Sequence, residues 1–260
     1  MPHDHADTIR SSFEQQASAF ESEQYIGALV RNAEWIFAQL EPSADALALD
    51  VAAGTGHAAR GLARHVRAVV AVDATPAMLA LGRRAAAAEG VRNVVFMEGD
   101  AYALPFLGAS FDVVVCRFAL HHVEHPERAV SEMLRCLRPG GQLVVADLVA
   151  DADPVVAAAQ NELELLRDPS HARCLSSAEL TALVEAAGGV DARAQLHAAA
   201  RPLAPWLDQT DTTPVARHAI IGALDRELGG GAPTGLHPQR RGSDLWFEQR
   251  FAAVTARRPE

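Results

Sequence analysis

The chain has 260 residues, 49% of them hydrophobic, enough to bury one substantial α/β core in a single domain. Its formal charge is −10 and the basic residues are nowhere concentrated, so the surface repels phosphate backbones and nucleic acid is not expected as a partner. All 23 cationic residues are arginine, which excludes Schiff-base chemistry, pyridoxal phosphate attachment and a P-loop lysine.

Cys116, Cys136 and Cys174 are far apart and odd in number, which predicts reduced thiols in a cytoplasmic protein rather than a disulfide framework. The polar N-terminus does not have the pattern of a secretory signal. No run approaches ~18 apolar residues, so no membrane span is expected. Residues 1–12 read as a loose tail. Phe13 to Leu40 has a helical pattern, with Ile26, Leu29, Val30, Ala33, Ile36, Phe37 and Leu40 on one face and Pro42 as the stop. Phe13, Phe20 and Tyr25 are expected to pack on the core, with a place in a lid over a ligand as the alternative.

Leu47 to Val51 reads as a buried strand, Ala52-Ala53-Gly54-Thr55-Gly56 as a turn, and His57 to Val66 as a helix. A second strand, Val69 to Val72, ends at Asp73, about twenty residues after Gly54. An acidic side chain at that separation reaches a ribose hydroxyl, so the unit is expected to bind a nucleoside-containing cofactor. Thr75-Pro76 starts the next helix, which contains Met78. A third strand, Val94 to Met97, runs into Glu98-Gly99-Asp100-Ala101, and a fourth, Asp112 to Cys116, into Arg117-Phe118-Ala119-Leu120-His121-His122. Pro126 opens a helix that ends at Pro139-Gly140-Gly141, and Leu143 to Asp147 is the fifth strand. Strands alternating with helices predict a parallel sheet with its ligand edge at the strand carboxyl ends.

Beyond residue 150, a helix is expected over Pro154 to Arg167. Ser176 and Glu179 form a capping box, and the helix they open stops at Gly188-Gly189. Val190 to Ala198 and Leu245 to Ala256 are candidate sixth and seventh strands. Between them lie a helix, Pro214 to Leu228, and a loop, 229–242, read as a mobile cover. The expected organisation is a cofactor core over 13–150, a helical cover and substrate region over 151–245, and a last strand over 245–256.

The glycine loop alone also satisfies a relaxed dinucleotide fingerprint, which keeps an NAD(P)-dependent oxidoreductase open. Asp50, Asp73 and Asp100 all fall on the ligand edge, however. Three carboxylates repel a pyrophosphate and attract a sulfonium bearing an ammonium group, and a unit charge pair at ~4 Å is worth about 4 kcal/mol even at an effective dielectric near 20. The electrostatics favour S-adenosylmethionine.

Leu-Asp-Val-Ala-Ala-Gly-Thr-Gly (49–56), the segment 69–79, Glu-Gly-Asp-Ala-Tyr-Ala-Leu-Pro-Phe (98–106), Ser-Phe-Asp-Val-Val (110–114) and Leu-Arg-Pro-Gly-Gly (137–141) occur in order. Together they resemble the class I S-adenosylmethionine-dependent methyltransferases, of the bacterial small-molecule type that includes the ubiquinone/menaquinone C-methyltransferases. The resemblance covers roughly residues 13–190. It implies a Rossmann-like, seven-stranded, mostly parallel sheet with helices on both faces, and methyl transfer to an O, N or C atom of a small metabolite. By the same resemblance the cofactor-binding set is Asp50, Ala52, Gly54, Thr55, Gly56, Asp73, Ala74, Met78, Gly99, Asp100, Ala101 and Arg117. Asp73 would take the ribose, Asp100 the adenine amino group and Met78 the adenine face, while Ala52 stands where many relatives have glycine. The segments 116–122 and 161–171 resemble a narrower bacterial subgroup, which sharpens the family without naming a reaction. A non-methylating, cyclase-type use of the same fold stays open, as does a pure interaction module.

Methyl transfer needs a base only where the acceptor is protonated. His122 and His121, just after the fourth strand, are the candidates, and His171 is a further one. Arg117 is expected to pair with Glu164 or Asp168, with the cofactor carboxylate or a substrate anion as the alternative. Asn161, Glu164 and Asp168 fall near one helical face and are expected to converge on the site. The spacing of His121, His122, His125 and Cys116 matches no usual zinc pattern, and no metal is expected.

Overall fold

The computed structural model describes residues 5–16 and 34–260. Strand β1 (Leu47–Val51) pairs parallel with β2 (Ala68–Asp73) on one side and with β4 (Phe111–Arg117) on the other. β2 continues to β3 (Val94–Glu98), and β4 to β5 (Leu137–Ala150), again in parallel. β9 (Asp244–Arg257) runs antiparallel between β5 and β7 (Val190–Pro202). The path β3-β2-β1-β4-β5-β9-β7 has the seven strands expected, with β9 reversed. Two short strands add to it: β6 (Leu175–Ser176) on β5 and β8 (Gln239–Arg241) on β9. This is the Rossmann-like, class I methyltransferase fold.

Side-chain alternation in the strands explains why helices cover both faces. Leu49 and Val51 of β1, with Val114, Leu143 and Val145, pack against Met133 and Leu134 of α5 (Pro126–Cys136) and Leu180 and Val184 of α7 (Ser177–Ala186). Ala48, Val69, Ala71, Val113 and Val115 face the other way. They meet Ile36 of α2 (Glu34–Phe37), Ala58 and Leu62 of α3 (His57–Leu62), and Leu79 of α4 (Pro76–Ala88). A third cluster stands apart from both. Leu163 of α6 (Pro154–Arg167), Trp206 and Leu207 of α8 (Leu203–Asp208), Ile220 and Leu224 of α9 (Pro214–Leu228), and Phe247 of β9 form it.

Several expectations are corrected. Residues 5–12 are not a loose tail: α1 (His5–Gln16) is helical, and its Phe13 packs edge-on against His122 with ring centroids 4.9 Å apart. Phe20, Tyr25, Ile26, Leu29, Val30 and Ala33 lie outside the described residues. α5 ends at Cys136 rather than at Pro139, and β5 takes in Pro139, Gly140 and Gly141. The pairing of β4 and β5 shifts register between Phe111 and Val113, an irregular stretch where a residue without an N–H is tolerated. The segment 229–242 contains strand β8 and is tied down by Thr234, which donates from backbone and side chain to Glu227, and by an Arg240–Asp225 ion pair. No helix among the described residues is long and apolar enough to cross a membrane.

α4 packs against the glycine turn so closely that Gly82 is required. A Cβ there would lie 2.5 Å from Phe96 Cε1 and 2.7 Å from the Thr55 carbonyl oxygen. Backbone cannot yield cheaply, so Gly82→Ala is expected to lower stability by about 2 kcal/mol, read as an earlier denaturant midpoint with an unchanged slope.

Candidate active site

At the carboxyl end of β1 the backbone passes through three left-handed residues, Ala52 (φ 52°), Gly54 (φ 56°) and Gly56 (φ 74°). Ala52 therefore occupies a position that favours glycine. The turn is folded onto Asp73: Gly54 N–H donates to Asp73 Oδ2 (2.7 Å) and Thr75 N–H to Oδ1 (2.8 Å). Burial pushes the Asp73 carboxyl above its ordinary range, against these two donors. A Cβ built on Gly54 would meet none of the described residues within 4 Å, whereas at Gly56 it would lie 2.6 Å from the Phe96 ring. Thr55 Oγ1 is buried without a hydrogen-bond partner among the described residues.

Asp50 is 1% exposed and accepts from Ala59 N–H (2.8 Å). Burial raises it to about 7, with the nearby Arg117 guanidinium pulling the other way. Burial likewise lowers Arg117 to about 10, opposed by Asp50. The expected pairing of Arg117 with Glu164 or Asp168 is not the arrangement found. Glu164 bonds Arg167 (3.3 Å), Asp168 bonds Ser170, and the carboxylate acting on Arg117 is Asp50, across the β1–β4 step. Phe118, directly after Arg117, is again left-handed (φ 54°). Across the Asp50 window the folded chain binds the proton more tightly than the unfolded chain. Stability therefore falls as pH rises from about 3.8 to about 7. Asp50→Asn, which keeps an acceptor for Ala59, is expected to melt several degrees above the parent at pH 8. Differential scanning calorimetry should show that advantage shrinking as the pH is lowered towards 4.

Further along this edge, Gly99 N–H donates to the Asp73 carbonyl (3.1 Å), and exposed Asp100 accepts from Tyr102 N–H (2.8 Å). A Cβ on Gly99 would lie 2.8 Å from Val72 Cγ1, so the strand-to-loop step is tight. Ala74 is exposed, Ala101 half-buried, and Met78 is buried to 1% on α4, beside α1.

The histidines meet at the ends of β4 and β5. His121 and His122 lie on a single 3-10 turn, Leu120–His122, with ring centroids 4.1 Å apart. The His121 backbone N–H donates to Asp147 Oδ2 (2.8 Å) and its Nδ1–H to Oδ1 (2.5 Å). Burial lowers the His121 imidazole, but Asp147 outweighs it and the net shift is upward. His122 is driven well below the ordinary range by burial and by the neighbouring His121. His171 comes within 5.9 Å of His121, ring to ring. Asn161 Oδ1 already accepts from Cys174 N–H (2.6 Å), so His171 Nε2, 2.9 Å away, is the donor to the same oxygen. The helical face of Asn161, Glu164 and Asp168 does converge here: Asn161 holds His171, Asp168 reaches His122 through Ser170, and buried Glu164 acts on His121. Cys116 is fully buried in β4, and burial pushes its thiol upward. A cleft of about 660 Å³ opens beside this cluster, lined by His125, Glu124, Glu127, Arg173 and His171 among others.

Two residues of the arrangement, Asp147 and Ser170, were not singled out by the sequence reading. Asp147 was legible, since it follows the apolar run Leu143 to Ala146 as Asp73 follows Val69 to Val72. Ser170 carried no signal of its own, because its role depends on a turn that brings residue 170 to residue 122.

Residues 49–145 match the family model described as "Methyltransferase domain". The match runs from β1 through most of β5, the part of the chain that carries the turn, Asp73 and Asp100. The uncharacterized methyltransferase YcgJ of Bacillus subtilis (strain 168) is 41% identical over 53% of this chain and 54% of its own. A demethylmenaquinone methyltransferase of Clavibacter sepedonicus is 34% identical over 57% of this chain and 61% of its own. The chain thus matches somewhat more than half the length of these relatives. The crystal structure of the Bacillus subtilis YcgJ protein superposes with a TM-score of 0.80 at 28% identity, covering 88% of this chain and 98% of that one. A putative methyltransferase of Bacillus halodurans C-125 gives 0.81 at 26%, covering 88% and 99%.

Proposed function

We propose that this protein is an S-adenosylmethionine-dependent methyltransferase that methylates an O, N or C atom of a small metabolite in the cytoplasm. The observation that carries the reading is the glycine turn clasped by Asp73, with no described residue against Gly54 and with Asp73 and Asp100 along one rim. The residues fit the cofactor. Among the described residues, buried Thr55 Oγ1 lacks a partner and nothing fills the Gly54 cradle, and the acidic rim suits a cation and disfavours a pyrophosphate. Asp73 would hold the ribose, Asp100 and Met78 the adenine, with Ala74, Gly99 and Ala101 lining that side. Ala52, Gly54, Thr55 and Gly56 would border the methionine portion, with Asp50 and Arg117 beneath it. The cofactor supplies an already activated methyl group.

The chain's own residues align the acceptor and take its proton. His122 is the base: burial keeps it neutral at working pH, and its ring lies at the end of β4, where the acceptor meets the donor edge. His121, locked to Asp147, orients that turn, and His171 borders the cleft by which a small acceptor approaches. The quinone methyltransferase among the relatives supports a small organic acceptor, and the acidic surface argues against nucleic acid. Calorimetry with S-adenosylmethionine and S-adenosylhomocysteine tests the reading. Heat of binding with both is expected, and stabilisation by NADH with no response to either would overturn it.

A further inference from the structure

We propose that Asp168 and Ser170 are positioning residues that fix His122 in one tautomer, with the proton on Nδ1 and the lone pair on Nε2. The inference rests on the reading of His122 as the acceptor-side base and supplies the reason that base is poised. His122 Nδ1 lies 3.0 Å from the Ser170 carbonyl oxygen and 3.1 Å from Ser170 Oγ. A carbonyl only accepts, so Nδ1 carries the proton. Ser170 Oγ–H is committed elsewhere, to Asp168 Oδ1 at 2.6 Å, and therefore offers His122 only a lone pair. Asp168 Oδ1 also accepts from Ser170 N–H (2.9 Å), so one carboxylate oxygen holds both the backbone and the side chain of the residue that faces the imidazole. All four groups are enclosed: Asp168 is 5% exposed, Ser170 0%, His122 8% and His171 3%.

In so dry a setting an imidazole with the wrong tautomer would leave Nδ1 facing a carbonyl with no proton between them, two buried lone pairs in contact and neither satisfied. The preference for one tautomer follows from that penalty. Among the described residues, the charged and titratable groups that act on His122 are His121 on its own turn, and Asp168 and His171 from the segment after α6. Asp147 of β5 and Glu164 of α6 act on it through His121. Phe13 of α1 closes one side of the ring. During methyl transfer the acceptor's proton passes to Nε2 as the new bond to the methyl carbon forms. The carbon–sulfur bond breaks with its electron pair on sulfur, and the resulting imidazolium is steadied by the Ser170 oxygens and by Asp168.

The test needs no acceptor. The full-length protein is labelled with ¹⁵N-histidine and titrated by NMR, His122 being assigned from the signals lost in His122→Ala. The parent is expected to show His122 as the Nδ1–H tautomer. Asp168→Ala and Ser170→Ala should convert it to a mixture, Ser170→Thr should restore it, and Asp168→Asn, which keeps the shape and removes the charge, should lower its titration midpoint by about one unit. Thermal stabilisation by S-adenosylhomocysteine verifies that each variant is folded. An Nε2–H tautomer in the parent would overturn the proposal, as would an unchanged tautomer in both alanine variants. Cofactor binding by calorimetry is read separately, so failure of the methyltransferase reading is told apart from failure of this one.

Discussion

Asp73→Ala is expected to reduce affinity for S-adenosylhomocysteine at least ~100-fold, or about 2.7 kcal/mol. The carboxylate spans two loops, accepting Gly54 N–H on one oxygen and Thr75 N–H on the other. Alanine leaves both donors orphaned, and each charge-assisted bond is worth about 1.5–3 kcal/mol, so the turn loses its shape together with any contact to a ribose. Asp73→Asn should be nearly as damaging, because its amide nitrogen must face one of two N–H donors. Isothermal titration gives the affinity directly. An unchanged dissociation constant in both variants would remove Asp73 from the site.

His122→Ala should lower methyl transfer roughly 10²–10⁴-fold, the range for loss of a positioned base, with S-adenosylhomocysteine affinity held within about threefold. Turnover can be read as labelled methyl incorporated into a metabolite pool. A buried imidazole beside His121 is held well below the ordinary range, so the parent's rate should stay flat as the pH is lowered through about 6.5 and decline only in stronger acid. An inflection at the ordinary histidine value, or a variant with undiminished turnover, would return His122 to a packing role.

The donor half was legible because its signals are local. β1, its turn and Asp73 are contiguous or a fixed distance apart, and their alternation and glycines state both the strand and the left-handed backbone. The helices Pro154–Arg167 and Pro214–Leu228 and the Ser176–Glu179 capping box were equally plain, each opened by a proline or a cap. The acceptor side was read only in part. His121, His122, Asn161 and Asp168 were singled out, but Arg117 does not reach Glu164 or Asp168; the carboxylate that acts on it is Asp50 of the neighbouring strand. Which carboxylate lies near a buried guanidinium depends on strand order, which no single segment reveals. β6 and β8 were missed because strands of two or three residues have no period to detect. α1 was taken for a tail since its polar sequence gives little amphipathic signal, and its Phe13 contact lies on a residue far away in sequence.

The third hydrophobic cluster shares no buried residue with the two that sandwich the sheet. Substitutions at Trp206, Ile220, Leu224 or Phe247, costly as they are in a closed core, are therefore expected to combine additively with substitutions at Asp73 or in the glycine turn.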